Sequence, residues 1–320
     1  MELAKHSINS MVVDYTNGFL PEHLESEFID SVKPRTDLIA DKPLKLNPFE
    51  KQKNIVAGTE LTDKAYDVAT RVASVFKSVY SSIGDQQLPT LIRVIEEGLE
   101  TYGEQYNFEH MLQALENYDQ TGVKVANKLL PLVKANIFAF DDTDGWNDIY
   151  QSKDSVCRLI QMARLSRNVW LAAVEFILWD LYSYACLHGD KNSPLPIVLD
   201  EVQNLDHRLE SPLGKMLTEG RKYGISLILA TQTMSNLGKD EQDRLFQASH
   251  KLFFAPAMTE VQTYAKLLEQ AVPGSDKKYW LTELSKLKKG ECISVGMHAN
   301  SSGVLVQSAK HLKVGKLGTR

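Results

Sequence analysis

Four side chains in this sequence could do chemistry together: Asp200, Glu201, Arg221 and Gln232. Asp200 and Glu201 directly follow an apolar run, Ile197-Val198-Leu199, and Gln232 closes a second run that spans Ile225 to Ala230 and Thr231. Two neighbouring acids at a strand end suit hydrolysis of a nucleotide with magnesium. Asp200 would hold Mg2+ through water, because that ion keeps several of its waters. Glu201 would orient and polarise the attacking water. Gln232 would sense the terminal phosphate or that water. Arg221, reaching a neighbouring subunit's site, would neutralise transition-state charge. Each residue alone has a plainer reading. An Asp after a strand is often a cap or turn residue, an Arg at a helix end complements the helix dipole, and a lone Gln is uninformative. The order and spacing of the four carry the signal.

The flanking residues say what must position them. Short apolar runs bounded by turn signals read as buried strands of a parallel sheet, and ligands of such sheets bind outside the carboxyl ends of the strands. Between the two runs, Ser211-Pro212 is a helix start, with Ser as N-cap and Pro at the first helical position. Leu213, Met216 and Leu217 repeat on one face, and Gly224 suits the left-handed residue that ends the helix. Strand, helix, strand is the parallel crossover unit. The acids, the glutamine and the arginine are therefore expected to converge at one rim of the sheet.

Leu-Asp-Glu-Val-Gln-Asn-Leu (199–205), followed by Glu-Gly-Arg-Lys-Tyr-Gly-Ile-Ser-Leu-Ile-Leu-Ala-Thr-Gln (219–232), resembles the Walker B and sensor region of the HerA/FtsK superfamily. The resemblance runs along nearly the whole chain. It implies an α/β fold with a RecA-like P-loop NTPase parallel sheet, ATP and Mg2+ as cofactors, and a homo-oligomer, a hexameric ring, that moves or unwinds DNA. It implies that Asp200 and Glu201 are the Walker B acids, Gln232 the strand-end sensor and Arg221 a trans-acting finger. The settings it implies are DNA-end processing with a nuclease partner, a restriction or defence complex of the DptH kind, and conjugative DNA transfer. The sequence does not choose among them.

One departure is large. No G-x-x-x-x-G-K-[ST] occurs, so the phosphate cradle and its lysine are absent. Gly214-Lys215 and Gly315-Lys316 neither follow an apolar strand nor precede Ser or Thr. The chain reads as the C-terminal portion of a longer ATPase that begins inside the helix after the phosphate loop, lacks the P-loop strand, exposes a sheet edge and is inactive alone. The alternative is a nucleotide-free scaffold or interaction module derived from such a motor, although a scaffold has no physical need for these four residues in this order.

A net charge of −5 leaves no global basic footprint for nucleic acid, although a ring can line its pore alone with cations. Cys157, Cys186 and Cys292 lack metal spacing and read as buried thiols in a reducing cytoplasm. The most apolar window, Val169 to Leu187, carries Glu175 and Asp180 and reads as a buried helix, not a membrane span. The chain divides into the start of the core (1–58, loop-rich after a strand at Met11–Asp14), an all-helical insert (59–150) and the remaining core (151–320). In the insert, apolar stripes at helical spacing mark four helices, the first capped by Thr62-Asp63. An acidic turn follows, with Asp141, Asp142, Asp144 and Asp148. Cys292–Val295 and Val304–Val306 read as a hairpin. Just before it, Lys286, Lys288 and Lys289 could touch a phosphate backbone, the plainer reading being a solvated turn.

Overall fold

In the computed structural model of the chain, residues 1–140, 146–152 and 155–315 are described; Asp141, Asp142 and Asp144 of the acidic turn lie outside them. The chain forms two compact units, Met1–Leu229 and Ala230–Arg320.

The first unit opens with α1 (Glu2–Lys5), β1 (Ser10–Asp14), α2 (Ser26–Val32) and β2 (Arg35–Leu38), then the short strands β3 (Leu44–Lys45), β4 (Lys53–Val56) and β5 (Thr59–Thr62). Four helices follow: α3 (Ala65–Val79), α4 (Gln87–Tyr102), α5 (Phe108–Tyr118) and α6 (Gln120–Ala135). β6 (Phe138–Ala139) and α7 (Asn147–Tyr150) lead to β7 (Cys157–Gln161), the long α8 (Arg167–His188), β8 (Leu195–Leu199), α9 (Pro212–Glu219) and β9 (Ile225–Leu229).

β1, β7 and β8 are short and aliphatic because both faces of a parallel sheet are covered. All five residues of β1 and of β7 are buried. The sheet order is β2-β7-β1-β8-β9, and every pair in it is parallel. The fold is α/β with a parallel central sheet, as the apolar runs require. Residues 19–58, expected as loop, also contain α2 and the edge strand β2. The sequence Arg-Thr-Asp-Leu shows no apolar alternation and is mostly exposed. Its ladder with β7 and the Arg158 Nε–Asp37 contact of 2.6 Å hold it instead.

α8 is the pillar of this unit. Among the described residues it is the one helix long and apolar enough to cross a membrane, yet most of it is buried inside the protein. Phe176, on α8, meets Phe76 of α3 edge to face at 5.7 Å and Phe138 of β6 at 5.8 Å, with Phe108 of α5 at 6.1 Å. Such aromatic pairs add about 0.5–1.5 kcal/mol each beyond area burial. The helices of 65–135 thus share one core with the sheet. α3 begins one residue later than its expected cap. Lys64 is the N-cap, its N–H donating to Asp67, while Asp63 is taken by Arg71.

The second unit contains α10 (Lys239–Phe246), β10 (Lys251–Phe254), α11 (Val261–Ala271), α12 (Lys277–Lys286), β11 (Glu291–Ala299) and β12 (Leu305–Lys313). Its antiparallel sheet has the order β10-β11-β12, the β11–β12 pair being the expected hairpin. Phe253, Ile293 and Val295 pack with Tyr264, Leu268, Trp280 and Leu284 in a separate core.

The crossover from β8 to β9 follows the sequence closely. Ser211 Oγ caps α9 by accepting from Gly214 N at 3.0 Å. Gly224 has φ +72°, and a Cβ there would lie 2.3 Å from the Asp190 carbonyl oxygen. Its own carbonyl accepts from Leu195 N at 2.7 Å, which aligns the starts of β8 and β9. β9 is an edge of the sheet, has neither charge nor proline, and leaves Ile228 50% exposed, so it lacks the usual protection of an edge strand. Gly224→Ala is expected to cost at least about 2 kcal/mol through left-handed strain and collision. A lower urea midpoint with an unchanged slope would register that loss.

Candidate active site

The parallel registers bring three strand ends level. Asp14 pairs with Gln161, Val13 with Leu199, and Leu199 with Leu229. Asp14, Gln161 and Asp200 therefore stand side by side at the carboxyl edge, where the chain leaves each strand.

Asp14 and Gln161 are both 1% exposed and build the floor. Asp14 accepts from Gln161 Nε2 at 2.6 Å, Phe19 N at 2.8 Å, Thr16 N at 3.0 Å and Gly18 N at 3.3 Å. A buried carboxylate is tolerated when it is hydrogen-bonded in this way. The result is a fixed turn at 14–19 that aims Tyr15 and Thr16 at the end of β8. Tyr15 donates its phenol proton to the Asp200 carbonyl, and the single hydroxyl proton of Thr16 is shared between Asp14 Oδ1 at 3.1 Å and Asp200 Oδ2 at 3.2 Å. Tyr15 also stacks on Trp170 of α8, with ring centroids 4.4 Å apart and planes 11° from parallel. Burial, then the carboxylates of Asp200, Glu201, Glu175 and Asp14, push its phenol far above the usual range. Tyr15 is thus a permanent donor.

The two acids are half-buried and diverge. Asp200 Oδ1 accepts from Glu201 N at 2.8 Å. Glu201 has φ +48°, a left-handed conformation that a non-glycine residue adopts only when its surroundings enforce it. Its carboxylate accepts from Gln203 Nε2, and its carbonyl accepts from Asn204 N at 3.0 Å. Asn204 in turn accepts from Arg167 at 3.0 Å, at the start of α8. Asp200 with Thr16 offers the oxygen-only donor set that magnesium prefers. Among the described residues no group of three or more His, Cys, Asp or Glu side chains could cage a metal. These residues therefore fit an ion held largely through its own waters.

Glu175 lies beneath this turn, 2% exposed on α8. Its Oε1 accepts from Asp206 N at 2.8 Å, and its Oε2 has no hydrogen-bond partner. Burial raises its carboxyl to about 8, against the opposing Asp206 N–H bond, so the acid is neutral at pH 7.

The expectation that all four residues share one rim needs correction for Arg221. The chain after α9 tightens into a 3-10 turn, Gly220–Tyr223. Arg221 lies there, beside the starts of β8 and β9, at the opposite edge of the sheet from Asp200. The reason is topological: a crossover helix returns the chain to the beginning of the next parallel strand. Arg221 is exposed; its carbonyl accepts from Gly224 N at 3.4 Å, and its guanidinium has no hydrogen bond or ion pair among the described residues. Gln232, exposed, follows the end of β9 and belongs to the second unit. Its carbonyl accepts from Tyr264 OH at 3.3 Å. The next residues are fixed by Glu260, which accepts from Met234 N at 3.0 Å and Thr233 Oγ1 at 2.8 Å. Lys286 is paired with Glu283 at 2.8 Å, leaving Lys288 and Lys289 exposed at the turn before β11.

Sequence reasoning missed Tyr15, Thr16, Gln161 and Glu175 as parts of the site. Glu175 alone had a signal, a carboxyl in the most apolar window of the chain. A cavity of about 560 Å³, lined by Lys33, Arg35 and Gln151 among others, contains none of the candidate residues; the acids stand at an open edge. Tyr15→Phe removes the bond to the Asp200 carbonyl while keeping the stack on Trp170, and is expected to cost about 0.5–1.5 kcal/mol, the net contribution of one part-buried hydrogen bond. Chemical denaturation of the two proteins side by side measures it.

No protein-family model matches the chain, and no curated protein matches it by sequence. Solved structures do. VirB4 of Thermoanaerobacter pseudethanolicus superposes with a TM-score of 0.69 at 13% identity, over 98% of this chain and 83% of that one. The bacterial conjugative coupling protein TrwBdeltaN70, unbound, gives 0.53 at 14% identity, over 98% and 85%. TrwB in complex with ADP and Mg2+ gives 0.51 at 14% identity, over 98% and 86%. With its parallel sheet β2-β7-β1-β8-β9 and flanking helices, the chain has the α/β fold of VirB4 and TrwB.

Proposed function

We propose that this chain is the hydrolytic and sensing part of an ATP-driven DNA motor that works as a homo-oligomeric ring, a hexamer, with its nucleotide at the contact between subunits. The observation that carries the reading is the Asp200–Glu201 pair at the carboxyl edge of the sheet, with the Asp200 carbonyl held by Tyr15 and its carboxylate beside the Thr16 hydroxyl. When bound, Mg2+ would supply charge neutralisation at the phosphates. Asp200 would hold that ion through its waters. Glu201 accepts the proton of the attacking water once its side chain leaves Gln203. Gln232 keeps the role of sensor that its place in the sequence, three residues beyond β9, suggests.

Arg221 has no role in its own subunit's site, because it lies at the other edge of the sheet. An exposed, unengaged guanidinium there is suited to a neighbour's nucleotide. One feature favours DNA transfer as the setting over restriction or end processing with a nuclease: one similar structure is a conjugative coupling protein. That TrwB was solved with ADP and Mg2+ supports nucleotide use. Lys288 and Lys289 are the residues proposed to touch the DNA backbone.

No phosphate loop occurs in these 320 residues, so turnover requires one to be supplied, and the chain by itself is expected to show negligible ATPase activity. The test uses the chain joined to the reading frame that precedes it. Glu201→Gln should keep ATP binding and lower turnover by about 10²–10⁴-fold, the usual contribution of a general base. Unchanged turnover removes Glu201 from the mechanism. Loss of turnover on Arg221→Ala, partly restored by mixing with Glu201→Gln subunits, is the expected sign of an arginine acting in trans. Absence of nucleotide binding from the extended chain would favour the scaffold reading.

A further inference from the structure

The loop that leaves Glu201 and runs to the N-cap of α9 has an internal order that the catalytic reading does not use. His207 Nε2 and the Val202 carbonyl are 2.7 Å apart. Ser211 Oγ donates to the Asp206 carbonyl at 2.6 Å. Arg208 Nε grips both carboxylate oxygens of Asp206, at 3.0 and 2.9 Å. Asp206 is therefore the knot of the loop, and the Asp206 N–H is the point at which α8 holds it.

We propose that Glu175 is a positioning residue for Glu201: from inside α8 its carboxyl latches the Asp206 N–H, and through Asp206 it holds the 202–211 loop that keeps Glu201 in its left-handed conformation. The importance of Glu201 rests on the reading above; the latch itself does not. The groups that face Glu175 are the carboxylate of Asp206, the guanidinium of Arg208 and the phenol of Tyr15. One carboxylate, one neutral phenol and one exposed cation do not accommodate a buried carboxylate, and the Oε2 atom without a partner offers an ionised group no stabilisation. The latch is a neutral acid, and its ionisation releases the loop.

The direction of the pH dependence follows. A carboxyl raised from 4.5 to about 8 by burial stabilises the closed loop fully below its unfolded value, and that contribution is lost as pH climbs toward 8. Between those values the opening equilibrium of the loop rises by about tenfold per pH unit, because one proton is released on opening.

Amide hydrogen exchange of the 202–211 segment, in the chain without nucleotide, reads this directly from about pH 5.5 to 7.5. Wild-type exchange should steepen by about one further factor of ten per pH unit over the chemical rate. Glu175→Gln keeps an acceptor for Asp206 N–H, cannot ionise, and should follow the chemical rate alone. Parallel profiles for the two proteins would overturn the proposal. Glu175→Leu should exchange quickly throughout, and protection equal to the wild type would also overturn it. Should that variant fail to fold, the comparison with Gln still decides. Because the readout needs no nucleotide, a failure of ATP turnover strikes the proposed function and leaves the latch standing.

Discussion

The register of one parallel ladder fixes everything at the candidate site. Asp14 faces Gln161 across one pair, and Leu199 faces both Val13 and Leu229 across two others. In a parallel sheet the side chains alternate faces with a period of two, so a slip of one residue would turn each strand inside out. The buried faces of β1 and β7 forbid such a slip. Three polar side chains are therefore delivered to the same level of one edge by apolar residues that never touch substrate. The short turns beyond the strands then need only small adjustments, and the bonds from Tyr15 and Thr16 to Asp200 supply them.

The second constraint is α8. It is apolar on nearly every face because it is buried between the sheet and the four helices of 65–135. Phe176 anchors it on the helical side, and Trp170 anchors it on the side of the site by stacking on Tyr15. A single element thus links the helical region to the turn carrying Asp200 and Glu201. The carboxyl of Glu175 in its middle would be costly if charged and is acceptable when neutral and hydrogen-bonded. Buried polar groups of this kind do not add much stability; their effect is to select one arrangement of the loop above them.

The open edge of β9 has a different origin. β2 and β9 end the sheet, and β2 is protected by polar residues and its ion pair to Arg158. β9 carries Ile, Ser, Leu, Ile and Leu, the composition of an interior strand. The two edges of the sheet thus differ in kind, one closed by charge and the other apolar and open.

Much of this protein was legible in the sequence. The strands β1, β7, β8 and β9, the buried character of α8, the caps at Ser211 and Gly224 and the C-terminal hairpin all follow from local rules. Apolar run length, Ser-Pro and a left-handed glycine act within a few residues of where they are written. The adjacency of Asp200 and Glu201 at a strand end is local too. What the tertiary structure alone decided is contact between residues far apart in the chain. Asp14 with Gln161, Tyr15 with Asp200 and Glu175 with Asp206 are joined by the ladder and by the helix packed on it, and no periodicity announces them. The place of Arg221 belongs to the same class. Its place in the last turn before the second strand suggested one rim, yet the direction in which a crossover helix returns the chain put it at the other. β2 went unseen because a polar edge strand is held by its neighbour and not by its own pattern.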